Sequence, residues 1–364
     1  MDTQNPKTVP TIDNSTGMLA ALIGDGRSLL ALVALGLVLS GIFALFLSAT
    51  GTFLPHDLSF LGMEPRTLCD LHQCRIVHFI FHDRVSFGGT LLAIGTLYLW
   101  LVAFPLRLGE EWAWWTLLLS GIVGFLNFLT YLIYGYLDSW HGVATAGLLP
   151  LFLGGIWKTH GLLPAQRKGW RSLLQPGMPI ELTTRMGFGR ICLLFVGAGM
   201  ALAGSVITIL GSTVVFVPQD ITYLGFTPAQ LNAINLHLVP LIAHDRAGFG
   251  GGLACCGLTV LLIVWKTRPT LALWQALLAG GIMGFGCAIG VHYPMHYLIV
   301  SHLAPAWAGA AIYATGIICL FPSSADRNHR EDTLNKNHQK QREKPLSSPK
   351  TTHLFQYKVL RRGL

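Results

Sequence analysis

The sequence predicts an all-α polytopic membrane protein, with eight transmembrane helices forming two tandem, parallel-repeat four-helix bundles. Three observations predict it. Hydrophobic residues make up 52% of the 364 and charged residues only 12%, with a mean hydropathy of +0.53, a composition typical of membrane proteins. Eight apolar runs approach the ~20 residues that a helix needs to cross a bilayer. Segments of the first half recur in the second at a nearly constant offset, the mark of an internal repeat.

The first span is expected at 28–50, after a polar segment, 1–27, with Lys7 and Arg27 ahead of the apolar run and no small-residue cleavage site, so a removable signal peptide is not expected. Spans at 77–104, 112–136 and 140–157 complete a first repeat, 28–157. A basic linker, 158–187, carries Lys158, Arg167, Lys168, Arg171 and Arg185. The second repeat, 188–321, holds spans at 188–212, 237–265, 271–291 and 303–321. With eight spans, Arg107, the linker, Arg190, Lys266, Arg268 and both termini fall on one side, which the positive-inside rule makes the cytoplasm of a multi-pass protein such as one of the bacterial inner membrane. The tail, 322–364, accounts for most of the net charge of +8: from 321 onward there are ten Lys/Arg against four Asp/Glu. It reads as a disordered, solvated end near anionic lipid. The bilayer is the partner this charge implies, and nucleic acid is not.

The repeat is carried by "FLPHDLSFLGMEP" (53–65) and "FVPQDITYLGFTP" (216–228), "HDRVSFGG" (82–89) and "HDRAGFGG" (244–251), "SGIVGF" (120–125) and "GGIMGF" (280–285), and "YLDSWHG" (136–142) and "YLIVSHL" (297–303). Because the unit has an even number of spans, both copies enter from the same side. This makes the repeat parallel and excludes an inverted-repeat plan.

His82 and His244 open long apolar stretches, 85–104 and 247–265, and His141 and His302 open the fourth and eighth spans. All four histidines are therefore expected at similar depth near the outer face. Within each bundle the second and fourth helices both run inward, which predicts the pairs His82 with His141 and His244 with His302. Neutral imidazole ligates iron, copper and zinc, and a facing pair suits the axial positions of heme b. On that reading Arg84 and Arg246 meet the propionates, and Asp83 and Asp245 orient an imidazole or hold an arginine. Gly88, Gly89, Gly250 and Gly251 allow a flat macrocycle or a neighbouring helix to approach, plain helix packing being the simpler expectation. The same residues also read without a cofactor, as polar lining of a transport path or as aspartate–arginine locks between helices or across the pseudo-twofold axis.

Asp57 and Asp220 are expected as helix caps in the outer loops, with Arg84 and Arg246 as alternative partners. His72, His78 and His237 break the symmetry, and His292 and His296, four apart in "HYPMHY", are further candidate ligands interrupted by Pro294. Cys69 and Cys74 in the first outer loop form a candidate disulfide or redox pair. Cys192, Cys255, Cys256, Cys287 and Cys319 lie in apolar spans as packing residues.

In plan the chain resembles the heme A synthase family: eight spans, two four-helix bundles, a histidine opening the second and fourth helix of each (His82, His141, His244, His302) and a cysteine pair in the first outer loop (Cys69, Cys74). The resemblance implies a substrate heme in one half, a b-type heme in the other, and oxidation of a heme methyl group with electrons leaving at the outer side. Where that family has a glutamate one turn before its first histidine, this chain has His78 and Phe79, and Asp83 stands between His82 and Arg84. The expected function is heme-binding redox chemistry, either heme modification or electron transfer between a membrane quinone and an outer-side redox partner. The alternative is a transporter or structural membrane protein in which the HDR motifs are interhelical polar locks and no cofactor binds.

Overall fold

The computed structural model describes residues 23–71, 73–166 and 168–321. His72, Arg167, most of the 1–27 segment and the 322–364 tail lie outside the described residues. All regular structure among these residues is helical. The long helices are α1 (Arg27–Thr50), α2 (Arg75–Ala103), α3 (Glu111–Asn127), α4 (Ser139–Thr159), α5 (Arg185–Ser212), α6 (Leu238–Lys266), α7 (Leu271–Gly290) and α8 (Val300–Leu320). Several begin at a side-chain cap, as the sequence around them favours: Asp138 accepts from the N–H groups of Trp140 and His141, Thr184 from Gly187 and Thr270 from Leu273. Helix α1 ends at Gly51, whose φ of 65° lets its N–H turn back to the carbonyls of Leu47 and Ser48.

Seven of these helices are long and apolar enough to cross a membrane, α3 with its short continuation to Tyr134 included. Helix α4 is not among them. It has 21 residues, but its apolar character is diluted by His141, Thr145, Pro150, Lys158 and four glycines.

Helices α1 and α2, α5 and α6, and α2 and α7 pack antiparallel, often through glycine. Gly41 of α1 meets Gly88 of α2, and Gly204 of α5 meets Gly250 of α6, each so closely that an added Cβ would come within 3.1 Å of the opposing backbone. The next residue of each motif faces another neighbour: Gly89 abuts Cys287 and Met283 of α7, and Gly251 abuts Asn127 of α3. Gly252 then faces Phe87 and Thr90 of α2. These glycines are packed against helices, which is how small residues act in membrane proteins.

This packing corrects the expected bundles. Helix α2 leaves its own half to lie against α7, and α6 leaves its half to lie against α3, while α1 stays on α2 and α5 on α6. The most apolar stretches of α2 and α6 are 61% and 67% buried, against 22–28% in the other five qualifying helices. Two exchanged central helices thus separate two peripheral groups, α1, α3 and α4 on one side and α5, α7 and α8 on the other. The physical reason is the glycine run, which presents small faces in more than one direction and so needs more than one close neighbour.

At the end carrying Thr159 and Lys266 the linker is clamped to the helices. Arg190 donates to the carbonyls of Met178, Pro179, Val264 and Trp265, and the Lys266 ammonium donates to Ser172 and Gln175. The opposite end carries the short helices Pro55–Leu61, Pro65–Leu71, Pro218–Leu224 and Pro228–Ile234 and all the site residues discussed below.

Candidate functional site

The two repeated loops and the two HDR motifs meet in one ion-pair lattice. Asp57 begins its short helix by accepting from the Leu54 N–H at 3.2 Å, and the same carboxylate accepts from Arg84 Nη1 at 2.7 Å and from the Tyr136 hydroxyl at 2.6 Å. Asp220 does the same with the Val217 N–H at 2.9 Å, Arg246 Nη1 and the Tyr297 hydroxyl at 2.8 Å. The arginine pairing expected of these aspartates is present, whereas the N-cap residues are Leu54 and Val217, and each aspartate, third in its helix, accepts from the N–H of that residue.

Each arginine then reaches across: Arg84 Nε donates to Asp245 at 2.8 Å and Arg246 Nε to Asp83 at 3.3 Å. All four aspartates and Arg246 are buried. The expectation that Arg84 and Arg246 face propionates is thus met by a different geometry, in which each guanidinium already bridges two carboxylates. Burial favours the neutral form of Asp57, but Arg84 and the hydrogen bonds from Arg84 and Tyr136 outweigh it and hold its carboxyl below the ordinary value.

Two guanidinium groups stand against four carboxylates, so the lattice carries an excess of negative charge. Buried charge is tolerated only when compensated, and the histidines beside the lattice are where compensation can occur.

The histidines converge, but in exchanged pairs. His82 does not meet His141; it meets His302 at a ring-centroid distance of 5.8 Å and His292 with its Nε2 only 3.0 Å from the His292 Nε2. His141 instead faces His244 at 5.4 Å. The cause is the exchange of α2 and α6, which carries each HDR histidine to the other half. His296 takes a backbone φ of 56° and is not part of the cluster of His82, His292 and His302, whose ligand atoms lie within 4.8 Å of one another. His237 stacks on Phe60.

Hydrogen-bond logic fixes the tautomers at this first head. The Asp83 carboxylate can only accept, so His82 Nδ1, 2.9 Å away, carries its proton and Nε2 keeps a lone pair. Tyr297 gives its single proton to Asp220, so its oxygen, 3.2 Å from His302 Nδ1, accepts from that nitrogen and His302 Nε2 is the lone pair. With His82 Nε2 as the acceptor, the 3.0 Å contact is a hydrogen bond donated by His292 Nε2–H, which leaves His292 Nδ1 buried without a hydrogen-bond partner. Burial and the neighbouring imidazoles His82 and His302 push the His292 pKa down to about 3, which keeps it neutral. One proton therefore lies between His82 and His292, in a small space where ligand atoms of His82, His292 and His302 all lie within 4.8 Å of one another, and a cation could take that proton's place.

The second head differs. His244 Nδ1 lies 3.2 Å from the Tyr134 hydroxyl and its Nε2 3.5 Å from Asp138, while Asp138 also lies 2.8 Å from His56 Nε2. Burial alone would drive His56 towards neutrality, but the hydrogen bond and charge of Asp138 outweigh it and raise its pKa above the usual value.

Each head tops a cavity. One of about 540 Å³ descends from His82, His292 and His302 between α2, α5, α6, α7 and α8. Another of about 290 Å³ descends from His141 and His244 between α1, α2, α3, α4 and α6. Cys69 and Cys74 form a disulfide. Cys192, Cys255 and Cys256 are buried, with the Cys255 thiol donating to the Ser120 carbonyl at 3.2 Å.

Sequence reasoning missed His292 as a partner of His82, and it missed Tyr136 and Tyr297. The tyrosines were findable, since each stands five residues before the histidine that opens α4 or α8. No known family model matches this chain, and neither a curated protein nor a solved structure is significantly similar to it.

Proposed function

We propose that this chain is an integral membrane redox protein that holds a histidine-ligated transition metal near the outer face, with His82, His292 and His302 as ligands. The observation that carries the reading is the convergence of three imidazoles whose ligand atoms lie within 4.8 Å of one another, with an ion taking the place of the proton between His82 and His292. Two ligands of one tetrahedral ion at about 2.0–2.1 Å stand roughly 3.3 Å apart, close to the 3.0 Å between His82 and His292. Asp83 on His82 and the Tyr297–Asp220 pair on His302 are the outer-shell partners that metal-bound imidazoles normally have. The carboxylate excess of the lattice favours a cation in the same place. Imidazole sites take iron, copper or zinc, and the first two supply one-electron chemistry.

Heme b is the second reading, and it belongs to the other head. There His141 and His244, from different halves, face each other at 5.4 Å with no third histidine between them. Axial ligands on opposite faces of an iron stand about 4 Å apart, a separation that the 3.0 Å contact of His82 with His292 does not match.

In this reading the halves are tandem copies, α4 is an eighth span, and the linker faces the cytoplasm. The antiparallel packing of α4 on α1 and α3, with Leu30 against Gly155 and Phe152 against Gly121, supports the eighth span. The matching contacts of Asp57 and Asp220, Arg84 and Arg246, and Tyr136 and Tyr297 support the duplication.

The test is elemental analysis and an absorption spectrum of the full chain purified after expression with ample iron and copper. About one ion per chain, absent from His292→Ala and His302→Ala but present in His141→Ala, is the expected result. A Soret band lost in His141→Ala and His244→Ala supports heme at the second head. Protein with neither metal nor heme leaves the alternative, a transporter or structural protein in which the HDR motifs act only as interhelical locks.

A further inference from the structure

The larger cavity changes character along its length. On α2 it is lined by His82, Ser86, Thr90, Ala93 and Leu97, a stripe at helical spacing that passes from imidazole through two hydroxyls to pure hydrocarbon. Fifteen residues of helix make this stripe about 22 Å long, far more than a polar headgroup needs.

The far wall opens to the outside of the bundle. Helices α5 and α8 touch at the end away from the histidines, where Gly189 and Leu193 press on Gly316. Towards the histidines they diverge, and a Cβ on Gly199 would meet nothing within 4 Å. Phe195, in the same stretch of α5, lines the cavity and is largely exposed. Gly280, Gly281, Gly284 and Gly309 leave room on the α7 and α8 walls, beside Phe285, Ile312 and Tyr313.

Charge decides which amphiphile fits. The one guanidinium at this head, Arg246, is consumed by Asp83 and Asp220, and the lattice as a whole is negative. Among the lining residues a phosphate headgroup would find one carboxylate, Asp83, and one guanidinium, Arg246, already shared by two aspartates. A neutral head with a hydrogen-bond acceptor, a flat body and a single long apolar tail meets the Ser86 hydroxyl beneath the imidazoles at the top, an apolar wall below, and an exit into lipid.

We propose that this cavity binds an isoprenoid quinone from the bilayer, its ring beneath His82, Ser86 and His302 and its tail leaving between α5 and α8. The redox reading above gives the site its purpose, and the proposal rests on that reading for its chemistry but not for its test.

Full-length protein in phosphatidylcholine nanodiscs is titrated with radiolabelled decylubiquinone, and metal content is measured on the same samples. Saturable binding by the wild type is expected, weakened about tenfold or more in Gly284→Leu and Gly309→Leu, which fill the cavity from two different helices, and weakened less in Ser86→Ala. Unchanged metal content and a monodisperse elution profile show that the filled variants are folded; should one misfold, the other serves. The proposal is overturned by an absence of saturable binding, by equal binding in a folded filled variant, or by displacement of the label by phosphatidylglycerol or a sterol as readily as by unlabelled quinone. Wild type that binds decylubiquinone but carries no metal defeats the metal reading and leaves this one standing, and metal without quinone binding defeats this one alone.

Discussion

The two heads of the molecule share a frame and differ in what they do with it. Both have a capping aspartate, a bridging arginine and a tyrosine on that aspartate. At the first head His82 is held by its own neighbour Asp83 and turned towards His292. At the second, His244 is held by Tyr134 and flanked by Asp138, and Asp245 is left to Arg84. The origin is local: the segment after α7 supplies His292, whereas the corresponding segment after α3 continues as short helical turns through Tyr134. A symmetric set of ion pairs can thus support one head with three histidines close enough to hold a metal ion and another with two.

The strongest way to break the comparison is through the arginines. Arg246→Ala leaves Asp83 and Asp220 buried and unpaired, a loss of about 3–5 kcal/mol. Arg84→Ala should cost less, because the Arg84 side chain is 14% exposed where that of Arg246 is 7%, so water can partly replace it. Thermal unfolding of the two variants in the same detergent measures the difference, and equal losses would mean that the heads are energetically alike.

A sharper and smaller effect separates the aspartates. Asp83 orients a proposed ligand and Asp245 does not, so Asp83→Asn should weaken metal retention about 10- to 100-fold while Asp245→Asn leaves it near wild type. Competition with a chelator of known affinity reads this directly.

The smallest effect is a pH dependence confined to the second head. His56 has its folded pKa raised by Asp138, so its contribution is fully present below the unfolded value of about 6.5 and is lost as pH rises through the folded value. Unfolding temperature should therefore fall slightly as pH rises from about 6 to about 8, and His56→Gln, which installs the residue that the other loop carries as Gln219, should flatten that slope. A slope unchanged in His56→Gln assigns the titration elsewhere.

Much of this architecture was legible in the residues. Helix positions followed from runs of apolar residues, and α6 and α7 begin and end within one residue of expectation. That His82, His141, His244 and His302 gather at one end of the molecule followed from where they open their helices. Partner choice did not, because a helix apolar on all sides carries no periodic signal of which neighbour it faces. Only the glycine run of α2 and α6 hinted at it, by offering small surfaces in several directions. His292 was hidden for a related reason: its spacing to His296 suggested a local pair, while its actual neighbour is 210 residues away.

The exchange of α2 and α6 has a consequence for how this chain can change over generations. A substitution at either HDR aspartate strips a counter-ion from the opposite half, so the two halves are not free to drift apart one at a time. Severing the polypeptide in its linker would yield fragments that each bring a charge meant for the other, and these should be recovered only when both are made in the same cell.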